Sequence, residues 1–311
     1  MEKNIKKINI LAAILGAAII FSFVIVGSIF DYDISKALYN PADPGLFAIS
    51  GSLLAQAPTF LGVTFAGALL IVSSKAEVFK AKKNLKNGLL VAGLVSIALG
   101  TFFSFYYALK LKDFETIGKG TIYFVLLAVC ALVFVGLNAL IVFFIIKKGN
   151  SLNYKKYLQV AFLILMVVVL EVLIYQALKV IVSRPRPRYI FSLEEPRRIY
   201  QNWWDLSHPF KALVDENCKS CPSGHASNGM ALPFIAVAIT YLKKDTKPVI
   251  RLIIFILGFI YAVIWSFSRI YAGAHFFSDI GLGMLITFIT GIVIWNFFIK
   301  KYKLNQYEEN Q

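Results

Sequence analysis

The chain has 311 residues, of which 58% are hydrophobic, and its mean hydropathy of +0.70 is higher than a soluble domain needs. Its formal net charge is +15, from 32 Lys and Arg against 17 Asp and Glu. In a soluble protein such a charge would indicate binding to nucleic acid. With this hydropathy we instead expect a protein that lies in a bilayer and has no nucleic-acid partner.

Eight apolar segments are each about long enough to cross a membrane, which takes roughly 20 residues in a helix. They lie near residues 8–30, 47–73, 88–108, 121–146, 157–182, 226–242, 250–267 and 279–299. The first segment is too long for a signal peptide and lacks a cleavage site, so we expect it to be retained. The sequence thus predicts an all-α, polytopic membrane bundle of about eight transmembrane helices.

The cationic residues are divided unequally between the two sides of this bundle. More than half of them fall in the segments that share a side with the N-terminus, for example around residues 75–86 and 147–156. The positive-inside rule therefore predicts that both termini are cytoplasmic, in a plasma membrane. The remaining cations are on the outer side, mostly near three short motifs.

We expect three parts along the chain. Residues 1–156 form four spans that serve as scaffold, residues 157–299 carry the motifs and include an outer loop at 183–222, and residues 300–311 form a cytoplasmic tail. The first outer loop holds Asp31, Asp33 and Asp43, which we interpret as solvated surface carboxylates.

The first motif is at the end of the fifth span. Lys179 is followed seven residues later by Arg186-Pro187, beyond a helix end that the prolines enforce. Two cations at one helix end can bind one phosphate through charge-assisted hydrogen bonds. Arg184-Pro185 is a second Arg-Pro pair, so the spacing alone does not decide which arginine takes part.

The second motif is Pro222-Ser223-Gly224-His225, at the predicted start of the sixth helix. Ser223 is at the position of an N-cap, and the N–H groups of a helix start bind anions. Gly224 would let a phosphate approach the main chain. His225 can protonate a leaving oxygen, because imidazole titrates near neutral pH.

The third motif is Ser268-Arg269, followed by His275 and Asp279. A spacing of four residues places Asp279 one helical turn beyond His275, so we expect the carboxylate to fix the tautomer of the imidazole. His275 would then be a positioned nucleophile. A single short motif of this kind is weak, but three in order use two of the three histidines of the chain.

Together the motifs resemble the K-x6-RP, PSGH and SR-x5-H-x3-D motifs of the type 2 phosphatidic acid phosphatase superfamily. The resemblance implies a membrane bundle that hydrolyses phosphate monoesters without a metal or other cofactor. It assigns His275 as nucleophile, His225 as acid and Asp279 as the partner of His275. It also implies a set of phosphate ligands, with Arg186 chosen over Arg184: Lys179, Arg186, Ser223, Gly224 and Arg269.

We therefore expect a phosphatase of the outer membrane face that acts on a lipid phosphate through a phosphohistidine. Candidate substrates are phosphatidic acid, phosphatidylglycerol phosphate and polyprenyl pyrophosphate. Action on a soluble phosphate ester, phosphoryl transfer to another acceptor and a transporter remain alternatives. Members of the superfamily commonly have six spans rather than eight, and the sequence leaves the oligomeric state open.

Two further features of the sequence are a pair of cysteines before the second motif and a carboxylate within the fifth span. Cys218 and Cys221 form a C-x-x-C before Pro222, which is equally compatible with a disulfide and with two free thiols. Glu171 lies in the middle of the fifth span, where a carboxylate is costly. We expect it to face the bundle interior and to accept structural hydrogen bonds.

Overall fold

The computed structural model describes residues 2–42, 45–109, 121–243 and 246–302, and within these ranges the regular structure is entirely helical. Asp43 and the tail residues 303–311 lie outside the described residues. The helices are α1 (Glu2–Leu38), α2 (Gly45–Leu54), α3 (Ala57–Ser74), α4 (Lys83–Leu109), α5 (Thr121–Lys148), α6 (Tyr154–Val182), α7 (Pro187–Ile190), α8 (Pro196–Ile199), α9 (Gly224–Thr240), α10 (Pro248–Tyr271) and α11 (Phe277–Tyr302).

In the described ranges, seven helical segments are long and apolar enough to cross a membrane: Leu11–Leu38, Gly45–Ser74, Lys83–Leu109, Leu127–Lys148, Ser151–Ile190, Pro248–Tyr271 and Phe277–Phe298. The all-helical membrane bundle is thus confirmed, with one span fewer than the eight predicted. The difference is α9, which has 17 residues and is therefore shorter than the roughly 20 that a span requires.

The second predicted span is divided into two helices. α2 ends at Leu54 and α3 begins at Ala57, with Pro58 in the first turn of α3. Proline has no N–H to donate and its ring clashes with the preceding turn, which favours a break and the start of a new helix at this point. The break exposes the backbone of Ala55 and Gln56 to the helices around them.

The helices form an inner and an outer group. In the span that contains α3, 78% of the apolar window is buried within the protein, and in α11 67%, whereas the value for α5 is 17%. Large apolar side chains of the outer helices, such as Ile25 on α1 and Leu132 on α5, are exposed and are suited to lipid contact.

Two apolar clusters hold the inner helices together. One joins α3, α6, α9 and α11 through residues that include Leu69, Ile164 and Ile235. The other joins α1, α9, α10 and α11 through residues that include Ile20 and Met230. α3 also packs closely on α4, since a Cβ at Gly67 would lie 2.7 Å from the carbonyl oxygen of Gly93. The N-terminal helices therefore share a core with the helices that carry the motifs.

A buried ion-pair centre joins the C-terminal part of α1 and the N-terminal end of α11. The guanidinium of Arg184 is fully buried, and its nitrogens lie 3.0 Å from Asp31 and 2.7 Å from Asp279. The interpretation of Asp31 as a solvated carboxylate was wrong, because α1 continues to Leu38 and carries Asp31 into the protein, where 1% of the residue is exposed. Asp33 does lie at the surface, paired with Arg197.

The outer loop, residues 183–222, is ordered by short helices and by contacts with the bundle. The backbone N–H of Phe210 donates to the carbonyl of Val180 at the end of α6, at 2.8 Å. The N–H of Ser220 donates to the carbonyl of Arg184 at 3.0 Å. The loop thus returns to the bundle beside Arg184, just before α9 begins.

We expect Arg184→Met to lower the free energy of unfolding by about 3–5 kcal/mol, because it leaves two buried carboxylates without their counter-charge. Thermal unfolding of the detergent-purified protein measures this. The matched control is Arg197→Met, which removes an arginine paired with an aspartate at the surface, where 77% and 65% of the two side chains are exposed. The control should change the unfolding temperature little. Equal shifts in the two variants would contradict the structural role of Arg184.

Candidate active site

The three motifs meet at one end of the bundle. Lys179 is in the last turn of α6, His225 is in the first turn of α9, and His275 is in the turn between α10 and α11. The centroids of the His225 and His275 rings are 5.9 Å apart. Segments that are up to about a hundred residues apart in sequence thus bring two imidazoles within reach of one tetrahedral group.

The start of α9 has the predicted cap. The hydroxyl oxygen of Ser223 accepts a hydrogen bond from the N–H of Ala226 at 3.3 Å, and the Ser223 N–H donates to the carbonyl of Asp279 at 2.9 Å. The next N–H groups, at Gly224 and His225, precede the hydrogen-bond ladder of the helix and are the kind of donors that bind anions.

Gly224 also has a packing role that the sequence did not indicate. A Cβ at this position would lie 3.0 Å from the ring of Tyr175, so the ring would have to shift by a few tenths of an ångström to admit a side chain. The ammonium group of Lys179 lies 5.7 Å from the centroid of the same ring. Tyr175 therefore lies between the first two motifs and fixes their separation.

His275 is held in one orientation by a tight turn. Gly273 has a positive φ of 57°, and the N–H of His275 donates to the carbonyl of Arg269 at 3.3 Å. The Nδ1 atom of His275 lies 2.6 Å from the carbonyl oxygen of Ser220. A carbonyl only accepts, so Nδ1 carries the proton and Nε2 keeps its lone pair, as a nucleophile requires.

The environment of His275 favours the neutral ring. Only 1% of the residue is exposed, and burial lowers its pKa well below the ordinary value. The positive charges of Lys179 and Arg186, together with the neighbouring His225 and Arg269, lower this pKa further. The imidazole is therefore available as a neutral nucleophile at pH 7.

We expected a direct hydrogen bond between Asp279 and His275, but in the structure the Asp279 carboxylate has other partners. The carboxylate of Asp279 pairs with Arg184, accepts from the Ser220 hydroxyl at 2.5 Å and accepts from the N–H of Phe276 at 2.9 Å. A buried guanidinium needs a counter-charge more than a neutral imidazole does. Asp279 acts on His275 through Ser220, whose carbonyl accepts from the ring.

The three predicted cationic ligands surround the two imidazoles at different depths. Arg186 is half-buried, and its Nε donates to the carbonyl of Glu216 at 3.2 Å. Arg269 is 3% exposed and donates to the carbonyl of Ala48 at 3.2 Å and to the hydroxyl of Ser52. Because Arg184 is committed to its carboxylates, the placement is consistent with Arg186 as the arginine of the first motif.

Sequence reasoning missed one side chain that touches a motif histidine. The Nε2 atom of Gln56, between α2 and α3, lies 2.6 Å from Nε2 of His225. A glutamine in an apolar segment of 27 residues gives little signal by itself. The signal that could have found it is Pro58, which predicts a helix break beside a polar residue.

Two further observations concern the cysteines and possible metal ligands. Cys218 and Cys221 are buried free thiols in the structure. Within the described residues, no group of three or more His, Cys, Asp or Glu is placed to hold a metal ion.

Comparison with known proteins agrees with the motifs. Residues 159–303 match the family model described as the PAP2 superfamily. This match contains all three motifs.

One relative is phosphatidylglycerophosphatase B of Bacillus subtilis (strain 168), which is 31% identical over 102 residues. The similar region covers 30% of this chain and 48% of the relative, so the chain spans about half the length of the curated relative that it matches. No solved structure matches the chain.

We expect His275 to be neutral at pH 7 and to remain neutral well below pH 6.5, with the proton on Nδ1. Since burial and nearby cations lower its pKa, protonation should begin only at more acidic pH. The measurement is ¹⁵N NMR of imidazole nitrogens in histidine-labelled protein, which has three histidines in all. A His275 signal that titrates near pH 6.5, or that shows a proton on Nε2, would contradict this geometry.

Proposed function

We propose that the protein is an integral membrane phosphatase that hydrolyses the phosphate ester or pyrophosphate of a lipid through a phosphohistidine. The observation that carries the proposal is the pair of imidazoles 5.9 Å apart, one with its Nδ1 bound to a carbonyl. The match of residues 159–303 to the PAP2 superfamily model supports the same chemistry.

In the first step the Nε2 lone pair of His275 attacks phosphorus, and the bond from phosphorus to the leaving oxygen breaks. His225 gives its proton to that oxygen, which leaves as the lipid alcohol or lipid phosphate. The product on the enzyme is a phosphohistidine. This step requires a neutral His275 and a protonated His225.

In the second step His225, now neutral, removes a proton from water as the water attacks the phosphohistidine. The bond from Nε2 to phosphorus breaks, inorganic phosphate leaves, and both histidines return to their starting states. Lys179, Arg186 and Arg269, with the N–H groups at the start of α9, stabilise the equatorial oxygens in both steps. In this proposal the protein's own cations supply the stabilisation, so no metal is needed.

The membrane setting supports a lipid substrate held at the bilayer interface. The motifs end apolar helices, so a phosphate in the site lies next to the region where lipid head groups lie. The lysines near residues 75–86 lie between α3 and α4, and Ser73 at the end of α3 donates to the carbonyl of Tyr154 at the start of α6, the opposite end of that helix from Lys179. This placement supports cytoplasmic termini and an active site on the outer face of a plasma membrane.

Among candidate lipids, phosphatidylglycerol phosphate is supported by the name of the Bacillus relative. Phosphatidic acid and polyprenyl pyrophosphate have the same reacting group and are the natural comparison. The test is phosphate release by detergent-purified protein from these three lipids and from a soluble sugar phosphate, with a chelator present. Loss of activity on chelation would overturn the metal-free mechanism, and equal activity on the soluble ester would overturn lipid specificity.

We expect His275→Ala to abolish turnover and His225→Ala to lower kcat by about 10²–10⁴-fold, the usual contribution of a general acid. The matched control is His208→Ala, which removes an exposed histidine of the outer loop. It should retain the activity of the parent protein. Undiminished phosphate release by His275→Ala would remove the proposed nucleophile.

Glu171 accepts structural hydrogen bonds, as the sequence predicted. It is fully buried, and its carboxyl group accepts from the hydroxyls of Thr59, Ser227 and Thr287 at 3.2, 3.2 and 2.6 Å. These three hydroxyls come from α3, α9 and α11, so the group joins the inner helices below the site. None of its hydrogen bonds reaches His225 or His275.

We therefore expect Glu171→Gln to retain full turnover, because the amide oxygen can still accept from the hydroxyls. Glu171→Leu should lower the unfolding temperature, because it removes the carboxyl group that accepts from three buried hydroxyls. Phosphate release and thermal unfolding of the two variants check this. A large loss of kcat in Glu171→Gln with an unchanged unfolding temperature would instead assign Glu171 to the chemistry.

A further inference from the structure

Gln56 touches His225 from a part of the chain outside the superfamily match. It lies in the break between α2 and α3, and 4% of the residue is exposed. The distance of 2.6 Å between Nε2 of Gln56 and Nε2 of His225 is that of a hydrogen bond. A side chain of the N-terminal helices therefore occupies one nitrogen of the proposed acid.

The backbone around Gln56 is fixed by contacts with α10. A Cβ at Gly51 would lie only 1.7 Å from the hydroxyl oxygen of Ser268, so only glycine permits this approach. The hydroxyl of Tyr261 donates to the carbonyl of Leu54 at 2.7 Å. Both contacts hold α2 against the helix that carries the third motif.

Gln56 follows two positions on one side of α2 that also contact the site. Ala48 and Ser52 are four residues apart and therefore lie on the same side of α2, and Gln56 follows Ser52 by four residues. The carbonyl of Ala48 and the hydroxyl of Ser52 both accept from the guanidinium of Arg269. Through these contacts one side of α2 reaches Arg269 and His225 together. The contact of Gln56 with His225 is thus one of several contacts that this segment makes with the site.

The chemistry of the two groups determines where the protons are. An amide nitrogen only donates, so in the observed contact Nε2 of His225 accepts and the neutral ring carries its proton on Nδ1. A neutral ring in this state cannot act as an acid. To act as an acid, His225 must be protonated on both nitrogens. Its Nε2–H then needs an acceptor. The carboxamide oxygen of Gln56 supplies this acceptor when the amide group rotates by about 180°.

We propose that Gln56 is a positioning residue that orients the His225 ring and pairs with it in both protonation states. Nδ1 is then the nitrogen that exchanges a proton with the substrate and with water, while Nε2 keeps its proton and donates it to the carboxamide oxygen of Gln56 throughout the cycle. This inference rests on the proposed function, in which His225 changes between acid and base in each turnover. A glutamine suits this role, because it offers a donor and an acceptor at nearly the same position.

Burial opposes the protonation of His225 and lowers its pKa, and the charges that face the ring lower it further. The groups that act on it from the neighbouring elements are cationic or are the second imidazole: Lys179, Arg186, Arg188, Arg269 and His275. A carboxylate at position 56 would be a negative group in direct contact with the ring. The protonation of His225 should therefore respond strongly to the residue at position 56.

The test uses the full-length variants Gln56→Glu and Gln56→Met in ¹⁵N-histidine-labelled, detergent-purified protein, with the His225 signals assigned by their loss in His225→Asn. In Gln56→Glu the His225 titration midpoint should rise by about one pH unit or more, the usual effect of an adjacent opposite charge. In Gln56→Met it should fall below that of the parent protein. Gln201→Met, which removes another buried glutamine whose side chain donates to Asp205, should leave it unchanged.

The pH dependence of kcat supplies the second measurement. The alkaline limb, where the acid loses its proton, should move to higher pH in Gln56→Glu and to lower pH in Gln56→Met. A merely structural role would lower kcat at every pH and leave the limb in place. If the His225 titration midpoint is the same in all variants, or if the pH dependence of kcat is the same in the active variants, the inference is overturned. If the parent protein releases no phosphate from any substrate, the proposed function fails, and the NMR titration still decides the pairing.

Discussion

The arrangement of this site depends on one buried guanidinium. Arg184 neutralises Asp31 of α1 and Asp279 of α11, donates to the carbonyl of Gln201 in the outer loop at 2.7 Å, and lies 4.0 Å from the ring centroid of Phe276. Its planar, permanently charged fork can satisfy several acceptors at once, which the ammonium group of a lysine cannot do with the same geometry. The first helix, the loop and the last helix are thereby fixed relative to one another.

The proposed chemistry follows from this centre through short connections. Asp279 accepts from the hydroxyl of Ser220, and the carbonyl of Ser220 in turn holds Nδ1 of His275. The carbonyl of Asp279 accepts from the N–H of Ser223, which caps the helix that carries His225. One residue thus sets the position of both imidazoles, while α2 supports His225 from the opposite direction through Gln56.

The sequence predicted what is local and missed what depends on packing. The helices and the motifs around His225 and His275 could be found, because apolar length and residue spacing are properties of continuous segments. The burial of Asp31 could not, since it depends on where α1 ends relative to Arg184. The partner of Asp279 was predicted from helical spacing, and a stronger competing charge took that contact. The break before Pro58 was not predicted, and its direction toward His225 depends on packing that the sequence does not show.

The proposed mechanism requires that separate segments place two imidazoles on opposite sides of one phosphorus atom. Orthovanadate adopts the geometry of a phosphoryl group in transfer, so an experimental structure of the protein with orthovanadate is the decisive test. We expect vanadium bonded to Nε2 of His275, with His225 next to the apical oxygen and Arg186 and Arg269 around the equatorial oxygens. Vanadium bonded to another residue, or bound away from both histidines, would contradict this mechanism.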